Sequence, residues 1–216
     1  MPIPLIASGL VVAGGLVLGG AATIIALFAK KLSGKRVAIL GRQQVGKTTL
    51  LHFLREGKVP EHSRNTVDPV EGGRFTMEVG REAVGFDVPK DLPGNDGLGY
   101  ADWKEAFTGA DYVWYLFRSD LIAQGNDDEA ALVKGHLDMF KDWMDAGSSP
   151  KVILIGTWAD QASEFHEDPE RFKRVVGASA PIKLGAVKLS NAGLVVGGLN
   201  DNKHANTLMK SLGRRL

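Results

Sequence analysis

The segment Gly41–Thr48 carries the residues whose types and spacing define a chemical task most clearly. Its sequence, Gly-Arg-Gln-Gln-Val-Gly-Lys-Thr, follows the phosphate-loop pattern G-x-x-x-x-G-K-T. Gly41 and Gly46 permit a tight turn that points successive backbone N–H groups at phosphate oxygens. Lys47 would neutralise the charge of the β- and γ-phosphates, and the Thr48 hydroxyl would bind Mg²⁺. The motif therefore predicts a nucleotide-phosphate site.

The residues on either side of this loop favour the same prediction. Residues 36–40, Arg-Val-Ala-Ile-Leu, predict a short buried strand, and residues 48–54 predict a helix. A helix that begins at the loop directs the positive end of its dipole at a bound anion. The predicted phosphate-loop contacts are Gly41, Gln44, Val45, Gly46, Lys47, Thr48 and Thr49.

Two segments further along are candidates for the metal shell. In Asp91-Leu92-Pro93-Gly94, the carboxylate at a strand end can hold Mg²⁺ and the Gly94 N–H can meet the γ-phosphate. These residue types also form ordinary turns. Asp87 is the alternative ligand, but it lacks a glycine at the same distance. Thr66, in the loop before a predicted hairpin, could give its hydroxyl to Mg²⁺, so that the loop orders only with triphosphate.

A third candidate site follows a predicted buried strand at residues 151–155, in Gly156-Thr157-Trp158-Ala159-Asp160. A carboxylate at this place can accept both the ring N–H and the exocyclic amine of guanine, a pairing that adenine does not offer. A strand-end turn is the alternative interpretation. A choice of GTP over ATP would therefore depend on Asp160.

The N-terminal segment predicts a membrane span, because no charged residue occurs before Lys30. A helix over residues 3–29 would be about 40 Å long, which exceeds a hydrocarbon core of about 30 Å. Basic residues follow it directly, which places the following domain in the cytoplasm. The predicted division is a single-pass anchor at 1–30, a linker at 31–35 and a nucleotide-binding domain at 36–216. A buried core helix is the alternative, and Gly15 and Gly19 would permit self-association as a homodimer through the anchor.

Composition limits the remaining possibilities. The chain has 216 residues, no cysteine and a net charge of +1. A disulfide framework is therefore excluded, and no basic footprint indicates a nucleic-acid partner. Strands and helices alternate after the loop, which predicts an α/β, doubly wound, mostly parallel sheet. The predicted elements are a hairpin at 73–79 and 82–88, strands at 111–117, 151–155 and 194–196, and helices at 127–146 and 201–212.

The order of these motifs resembles the small GTPases, and in particular the Arf-like branch. Residues 48–59 are similar to the Arf-type first helix and its exit, and an N-terminal span resembles the layout of the β subunit of the signal recognition particle receptor. The resemblance covers residue 35 to the C-terminus. It implies a P-loop NTPase sheet with GTP or GDP and Mg²⁺ at the carboxyl edge of the strands. It also implies a protein effector or a GTPase-activating partner.

The same resemblance implies roles for two base-binding segments. Thr157, Trp158 and Asp160 match the Asn/Thr-Lys-x-Asp base motif, with Trp158 in place of the lysine. An indole could stack on guanine, but the lysine's tie to the phosphate loop is expected to be lost. Gly197-Gly198-Leu199 is the first candidate for the last base-contacting loop, so that Gly198 and Leu199 would touch the base. Ser190-Asn191-Ala192 is the second candidate.

Two further departures from the family concern hydrolysis. Asn95 replaces the water-positioning glutamine after Asp-x-x-Gly and is shorter, so hydrolysis by that route is expected to be slow. Gln43 resembles a loop glutamine of dynamin-type GTPases, where it helps to orient water, often in a dimer; it could instead crowd the γ-phosphate. Arg42 is expected to be a solvated loop residue rather than an arginine finger.

The sequence therefore predicts a membrane-anchored GTP-binding switch with slow GTPase activity. The predicted catalytic residues are Gln43, Lys47, Thr66, Gly94 and Asn95, and the predicted metal ligands are Thr48, Thr66 and Asp91. An ATP-using P-loop enzyme and a non-hydrolysing membrane scaffold remain alternatives.

Overall fold

The computed structural model describes residues 10–11, 20–60, 73–79, 81–89 and 99–216, which form one sheet with helices on both faces. The strands are β1 (Leu10–Val11), β2 (Arg36–Leu40), β3 (Gly73–Val79), β4 (Glu82–Val88), β5 (Tyr112–Arg118), β6 (Lys151–Thr157) and β7 (Gly193–Val196). The helices are α1 (Gly20–Leu32), α2 (Lys47–Glu56), α3 (Gly99–Thr108), α4 (Ser119–Ala123), α5 (Asp127–Asp145), α6 (Ser163–Glu167), α7 (Pro169–Ala178), α8 (Ala180–Lys188) and α9 (Asn202–Gly213).

The seven described strands lie in the order β1-β3-β4-β2-β5-β6-β7. All neighbouring pairs are parallel except β3 and β4, which form an antiparallel hairpin. This confirms the predicted mostly parallel α/β sheet. Strand β2 lies between β4 and β5. After β2 the chain forms β3 and β4 on one side of it and then crosses to form β5, β6 and β7 on the other side. Ligands of such sheets bind at this point, outside the carboxyl ends of the strands.

The central strands are apolar on both faces because helices cover both. Along β5, Trp114 and Leu116 enter the core on one face, whereas Val113 and Tyr115 enter the core on the other. This alternation follows from the two-residue period of a strand. Helices α1, α2 and α9 cover the first face, and α3, α5, α7 and α8 cover the second.

Helix α1 corrects the prediction of one helix over residues 3–29. It has 13 residues, and its inward face, which includes Phe28 and Leu32, is buried. The Phe28 ring packs edge-on against Trp114 at 6.0 Å between centroids. Leu10–Val11, inside the predicted span, is extended and pairs with β3. The core-helix alternative therefore describes α1, and among the described residues no helix is long and apolar enough to cross a membrane.

Most predicted elements after the loop are present, with small shifts at their ends. The hairpin strands match β3 and β4, and the helix predicted at 127–146 is α5, for which Asn126 provides the cap by accepting the Glu129 N–H at 2.8 Å. Strand β6 continues to Thr157. This extension carries Thr157 to the edge of the sheet beside the phosphate loop.

Candidate nucleotide-binding site

The predicted phosphate loop joins the end of β2 to the start of α2. Gly46 caps α2 with a left-handed backbone (φ 89°), which a side chain would disfavour. Lys47 is 8 % exposed, and its Nζ donates to the carbonyl oxygens of Gly41 at 2.6 Å and Arg42 at 2.8 Å. Its ammonium group therefore lies against the loop backbone. Thr48 and Thr49 follow in the first turn of α2.

Thr157 fastens the end of β6 to this loop. Its hydroxyl is buried and lies 2.8 Å from the Val45 carbonyl and 3.0 Å from the Phe117 carbonyl, either of which can accept its proton. Ser119 donates to the Thr157 carbonyl at 2.6 Å. The base motif predicted from sequence and the phosphate loop are thus held together by direct hydrogen bonds.

Trp158 forms a second connection, which corrects the expectation that replacing the lysine of the Asn/Thr-Lys-x-Asp motif removes the tie to the loop. Its indole N–H donates to the Gln44 carbonyl at 2.8 Å. Both residues adopt left-handed backbone, with φ 61° at Trp158 and φ 63° at Gln44. Such conformations are costly for residues with side chains and concentrate at functional sites.

Arg118, at the end of β5, supports the indole from its ring face. The guanidinium carbon lies 4.3 Å from the centroid of the Trp158 ring, within cation–π range. Arg118 also donates through Nε to Asp120 at 2.8 Å and contacts the same carboxylate through Nη2. Hydrogen bonding to Asp120 raises the pKa of Arg118, so the group stays charged.

The buried carboxylate of Glu129 connects Arg118 to the phosphate loop. Glu129, at the start of α5, accepts the Arg118 backbone N–H at 3.0 Å and pairs with the Arg42 guanidinium at 2.8 Å. Arg42, which the sequence suggested is a solvated loop residue, is 38% exposed but is held in this ion pair. Neither Arg118 nor Glu129 was predicted, because the contact of Arg118 with the Trp158 ring and the pairing of Glu129 with Arg42 join distant segments and leave no local pattern.

A cavity of about 400 Å³ opens beside these groups, within the size range of small-molecule sites. Asp160 lines it, is 6 % exposed, and accepts the Asn200 N–H on Oδ2 at 2.8 Å. A Cβ on Gly198 would lie 2.1 Å from that oxygen, so only glycine allows this approach. The lining residues are Gly46, Thr49, Thr157, Trp158, Asp160, Gln161, Leu199 and Asn200.

The loop after β7 reaches the base motif, as the first sequence candidate requires. The Gly197 N–H donates to the Gly156 carbonyl at 2.9 Å, and the Ala159 N–H donates to the Gly197 carbonyl at 3.3 Å. The second candidate, residues 190–192, lies before β7, at the other end of that strand. Gln161 and Asn200 also line the cavity and were missed, since only their neighbours belonged to a motif.

The predicted metal and hydrolysis residues are placed only in part. Thr66, Asp91, Gly94 and Asn95 lie outside the described residues, and Gln43 is exposed on the loop. The carboxylate of the alternative metal ligand, Asp87, accepts from Arg74 at 2.8 Å and lies 3.8 Å from Arg36. Within the described ranges, no three acidic, histidine or cysteine residues are grouped so as to hold a metal.

Comparison with solved structures shows which fold positions these groups. The chain is similar to a GTP-binding protein of the hyperthermophilic archaeon Sulfolobus solfataricus in complex with GDP (TM-score 0.55, 12% identity over 84% of this chain). It is also similar to an SsGBP–GDP complex (TM-score 0.52, 13% identity over 83% of this chain). A substitution variant of SsGBP is similar as well (TM-score 0.56, 14% identity over 94% of this chain). The alignments span only 52%, 49% and 63% of those chains. No protein-family model and no curated protein matches the sequence.

At these identities the likeness shows the fold alone. The chain has the fold of GTP-binding proteins, with the loop Gly41–Thr48 at the end of β2 and the base motif at the end of β6.

Proposed function

We propose that this chain binds a guanine nucleotide at the described cavity and hydrolyses GTP slowly, as a nucleotide-dependent switch. One observation carries the proposal: a buried carboxylate, Asp160, lines a cavity that also touches the phosphate loop at Gly46 and the first turn of α2 at Thr49. The GDP complexes of proteins with this fold support it. A place in the Arf-like branch remains a hypothesis from sequence.

Guanine selection follows from the chemistry of Asp160. An ionised carboxylate accepts two N–H donors side by side, and guanine presents its ring N–H and its exocyclic amine in that arrangement. The close approach at Gly198 and the Asn200 N–H fix the carboxylate at one place in the cavity. Adenine offers an acceptor where guanine offers the ring N–H, so ATP would leave the buried Asp160 carboxylate with the Asn200 N–H but without the donors of the base.

Phosphate binding follows from the loop. Successive N–H groups and the start of α2 provide positive potential, and Lys47 adds a full charge beside the loop backbone. Thr48, with Thr66 and Asp91 as further candidates, would hold Mg²⁺. The ion, when bound, would neutralise the phosphate charge that develops during transfer.

Hydrolysis would proceed by in-line attack of water on the γ-phosphorus. The new bond joins the water oxygen to phosphorus, and the bond to the β–γ bridging oxygen breaks, which yields GDP and phosphate. Gln43 and Asn95 remain alternative groups for orienting the water. Because Arg42 is paired with buried Glu129, we do not assign it the role of a stimulating arginine.

Attachment to a membrane by residues 3–29 is not part of this proposal, because the inward face of α1 is packed into the domain core. A cytoplasmic location at a membrane stays a prediction from sequence. Two functional alternatives also remain: an ATP-using P-loop enzyme, and a scaffold that holds nucleotide without hydrolysing it.

The substitution Asp160→Asn tests the base assignment. An amide would reverse one hydrogen bond and match xanthine instead of guanine, so GTP affinity should fall by at least about tenfold and xanthosine triphosphate affinity should rise. Competition binding with labelled GTP measures both. Asp145→Asn is the control, since that side chain is 63% exposed at the end of α5. Unchanged GTP binding by the Asp160 variant would refute the assignment.

Phosphate release under multiple turnover separates the switch from the scaffold. Slow release that depends on GTP and Mg²⁺ is the expected result. If GTP binds but no phosphate appears under any condition, the scaffold alternative is correct.

A further inference from the structure

The edge of the described sheet at β7 forms a second groove, which shares no lining residue with the cavity at the base motif. Strand β7 ends the described sheet order, and α7 and α9 border the groove on its two sides. The groove has a volume of about 570 Å³, and β7 forms its floor. No part of the proposed nucleotide site lines it.

The floor presents backbone groups that can pair with another strand. Gly197 directs its N–H at β6, where it donates to the Gly156 carbonyl. Because backbone groups alternate in direction along a strand, those of Leu194 and Val196 point away from β6 and into the groove. Such an edge is a template for the addition of an extended chain.

The rim of the groove carries more basic than acidic side chains, although Glu170 also lines it on the α7 side. Arg174 comes from α7, and Arg214 and Arg215 follow the end of α9. In the described part of the chain, none of these three is ion-paired with a carboxylate, whereas Lys173 is paired with Glu170 at 2.7 Å. A chain lying along β7 would thus meet unneutralised arginines on each of its faces.

We propose that this groove, formed by β7, α7 and α9, binds an extended acidic segment of a partner protein, which adds one strand to the sheet. Backbone groups of the segment pair with Leu194 and Val196. Side chains of an added strand alternate between the two faces, so acidic residues on one face reach Arg174 and those on the other reach Arg214 and Arg215. The four residues of β7 fit a paired stretch of about 13 Å.

Protection of the sheet edge against aggregation is the competing explanation for the short strand β7 and the arginines beside it. Proteins shield sheet edges by short strands and by nearby charges, and β7 has both features. That explanation predicts no binding of an extended chain, since the arginines would serve only to repel. The two explanations therefore differ in an observable result.

Binding of an octaglutamate peptide, labelled and followed by fluorescence anisotropy, tests the proposal on the full chain. A peptide of alternating glutamate and proline with the same number of glutamates is the matched probe, because proline cannot form the strand ladder. Octaglutamate is expected to bind, and at least about tenfold more tightly than the proline peptide.

Charge reversal identifies the site. The double variant Arg174→Glu with Arg214→Glu is expected to weaken octaglutamate binding by at least about tenfold. Lys183→Glu is the control, because it makes the same kind of charge change on the exposed side of α8. This control should bind octaglutamate as the unsubstituted chain does.

Hydrogen exchange distinguishes an added strand from loose attraction. The amides of Leu194 and Val196 should exchange more slowly once octaglutamate is bound. Leu194→Pro removes an outward N–H without removing a bond to β6, so this variant should bind octaglutamate more weakly. Thermal unfolding shows whether the variant folds. If it does not fold, the hydrogen exchange of the unsubstituted chain decides the question.

Any of three results with the peptides would overturn the proposal: absence of octaglutamate binding, equal binding of the proline peptide, or unchanged exchange at the two amides. Altered sedimentation of the charge-reversal variant alone, without peptide, would instead identify a second copy of this chain as the occupant and would also overturn it.

Discussion

Trp158 is the residue at which this site departs most from the lysine-containing base motif. Its indole N–H reaches the Gln44 carbonyl, and its ring lies against Arg118. The structure therefore retains a donor from the base motif to the phosphate loop, although the donor is an indole. The sequence could not show this, because the contact depends on left-handed backbone at both Gln44 and Trp158.

Substitution of Trp158 tests this bridge. Trp158→Phe keeps an aromatic ring but removes the N–H donor, so nucleotide affinity should fall about fivefold, which corresponds to the loss of one hydrogen bond of about 1 kcal/mol. Trp158→Lys restores a donor of the family type and should recover part of the loss. Titration calorimetry with GDP measures both. Equal affinity of the Phe variant and the unsubstituted chain would contradict a role for the bridge.

His136 predicts a pH dependence of stability. It is buried beside Tyr100, Trp103 and Tyr115, and the Tyr115 hydroxyl lies 2.8 Å from its Nδ1. Burial, and then the charge of Arg42, lower the pKa of His136 from 6.5 to about 4. The neutral ring can therefore accept a hydrogen bond from the Tyr115 hydroxyl. Burial raises the pKa of this hydroxyl well above its ordinary value, so the hydroxyl keeps its proton.

His136 thus binds a proton near pH 6.5 in the unfolded chain but only near pH 4 in the folded chain. Stability should therefore fall as pH decreases through this window, by about 2 kcal/mol between pH 7 and pH 5. Urea unfolding at both values measures it. His136→Gln keeps a hydrogen-bond acceptor for Tyr115 but does not titrate, so its loss of stability should be smaller by about that amount. Equal losses for both proteins would show that His136 does not titrate as described.

Residues with a local motif could be predicted from sequence, whereas those that act through distant contacts could not. Lys47 and Asp160 were predicted because each belongs to a pattern with fixed spacing. Glu129 was not, since its partners at Arg42 and Arg118 come from other elements. Within a helix pattern it resembles any acidic residue of a first turn.

Among the elements, α1 is where sequence reasoning failed most clearly. An uncharged apolar stretch suits a protein interior as well as a lipid bilayer, so composition does not separate the two. The structure separates them by neighbours: Phe28 packs on Trp114, α1 packs on α9, and Lys31 donates to the Gly213 carbonyl at 2.6 Å.

Two adjacent residues of α1 provide a matched test. Phe28 is 2 % exposed and Leu27 is 58 % exposed. Phe28→Ala should lower the free energy of unfolding by about 3–5 kcal/mol because it leaves a cavity, whereas Leu27→Ala should change it by less than about 1 kcal/mol. Denaturant unfolding of the full chain in detergent-free buffer measures both. Similar small effects would show that α1 does not belong to the core.

The other elements show why some are easier to predict than others. The hairpin of β3 and β4 was predicted with its observed bounds. Helix α8 was not predicted, because its apolar residues lack a clear helical period: Ile182 is buried, whereas Leu184 and Val187 are exposed. Its place in the structure depends on packing against α5 and α7.

At the scale of the whole molecule, strand order brings the site together. The candidate groups follow β2, β6 and β7, and all three strands point their carboxyl ends at the same edge of the sheet. Gly198 and Asp160 are 38 positions apart in the sequence, yet a Cβ on the glycine would touch the carboxylate. Sequence indicated each segment separately, and only the topology makes them one cavity.

Titration calorimetry with GTP, GDP and ATP in the presence of Mg²⁺, on the full chain and on Lys47→Ala, addresses the nucleotide site most directly. GTP and GDP should bind the unsubstituted chain at least about a hundredfold more tightly than ATP, and a folded Lys47→Ala protein should lose measurable GTP binding. ATP binding as tight as GTP binding, or undiminished GTP binding by the variant, would contradict a guanine-nucleotide site at this loop.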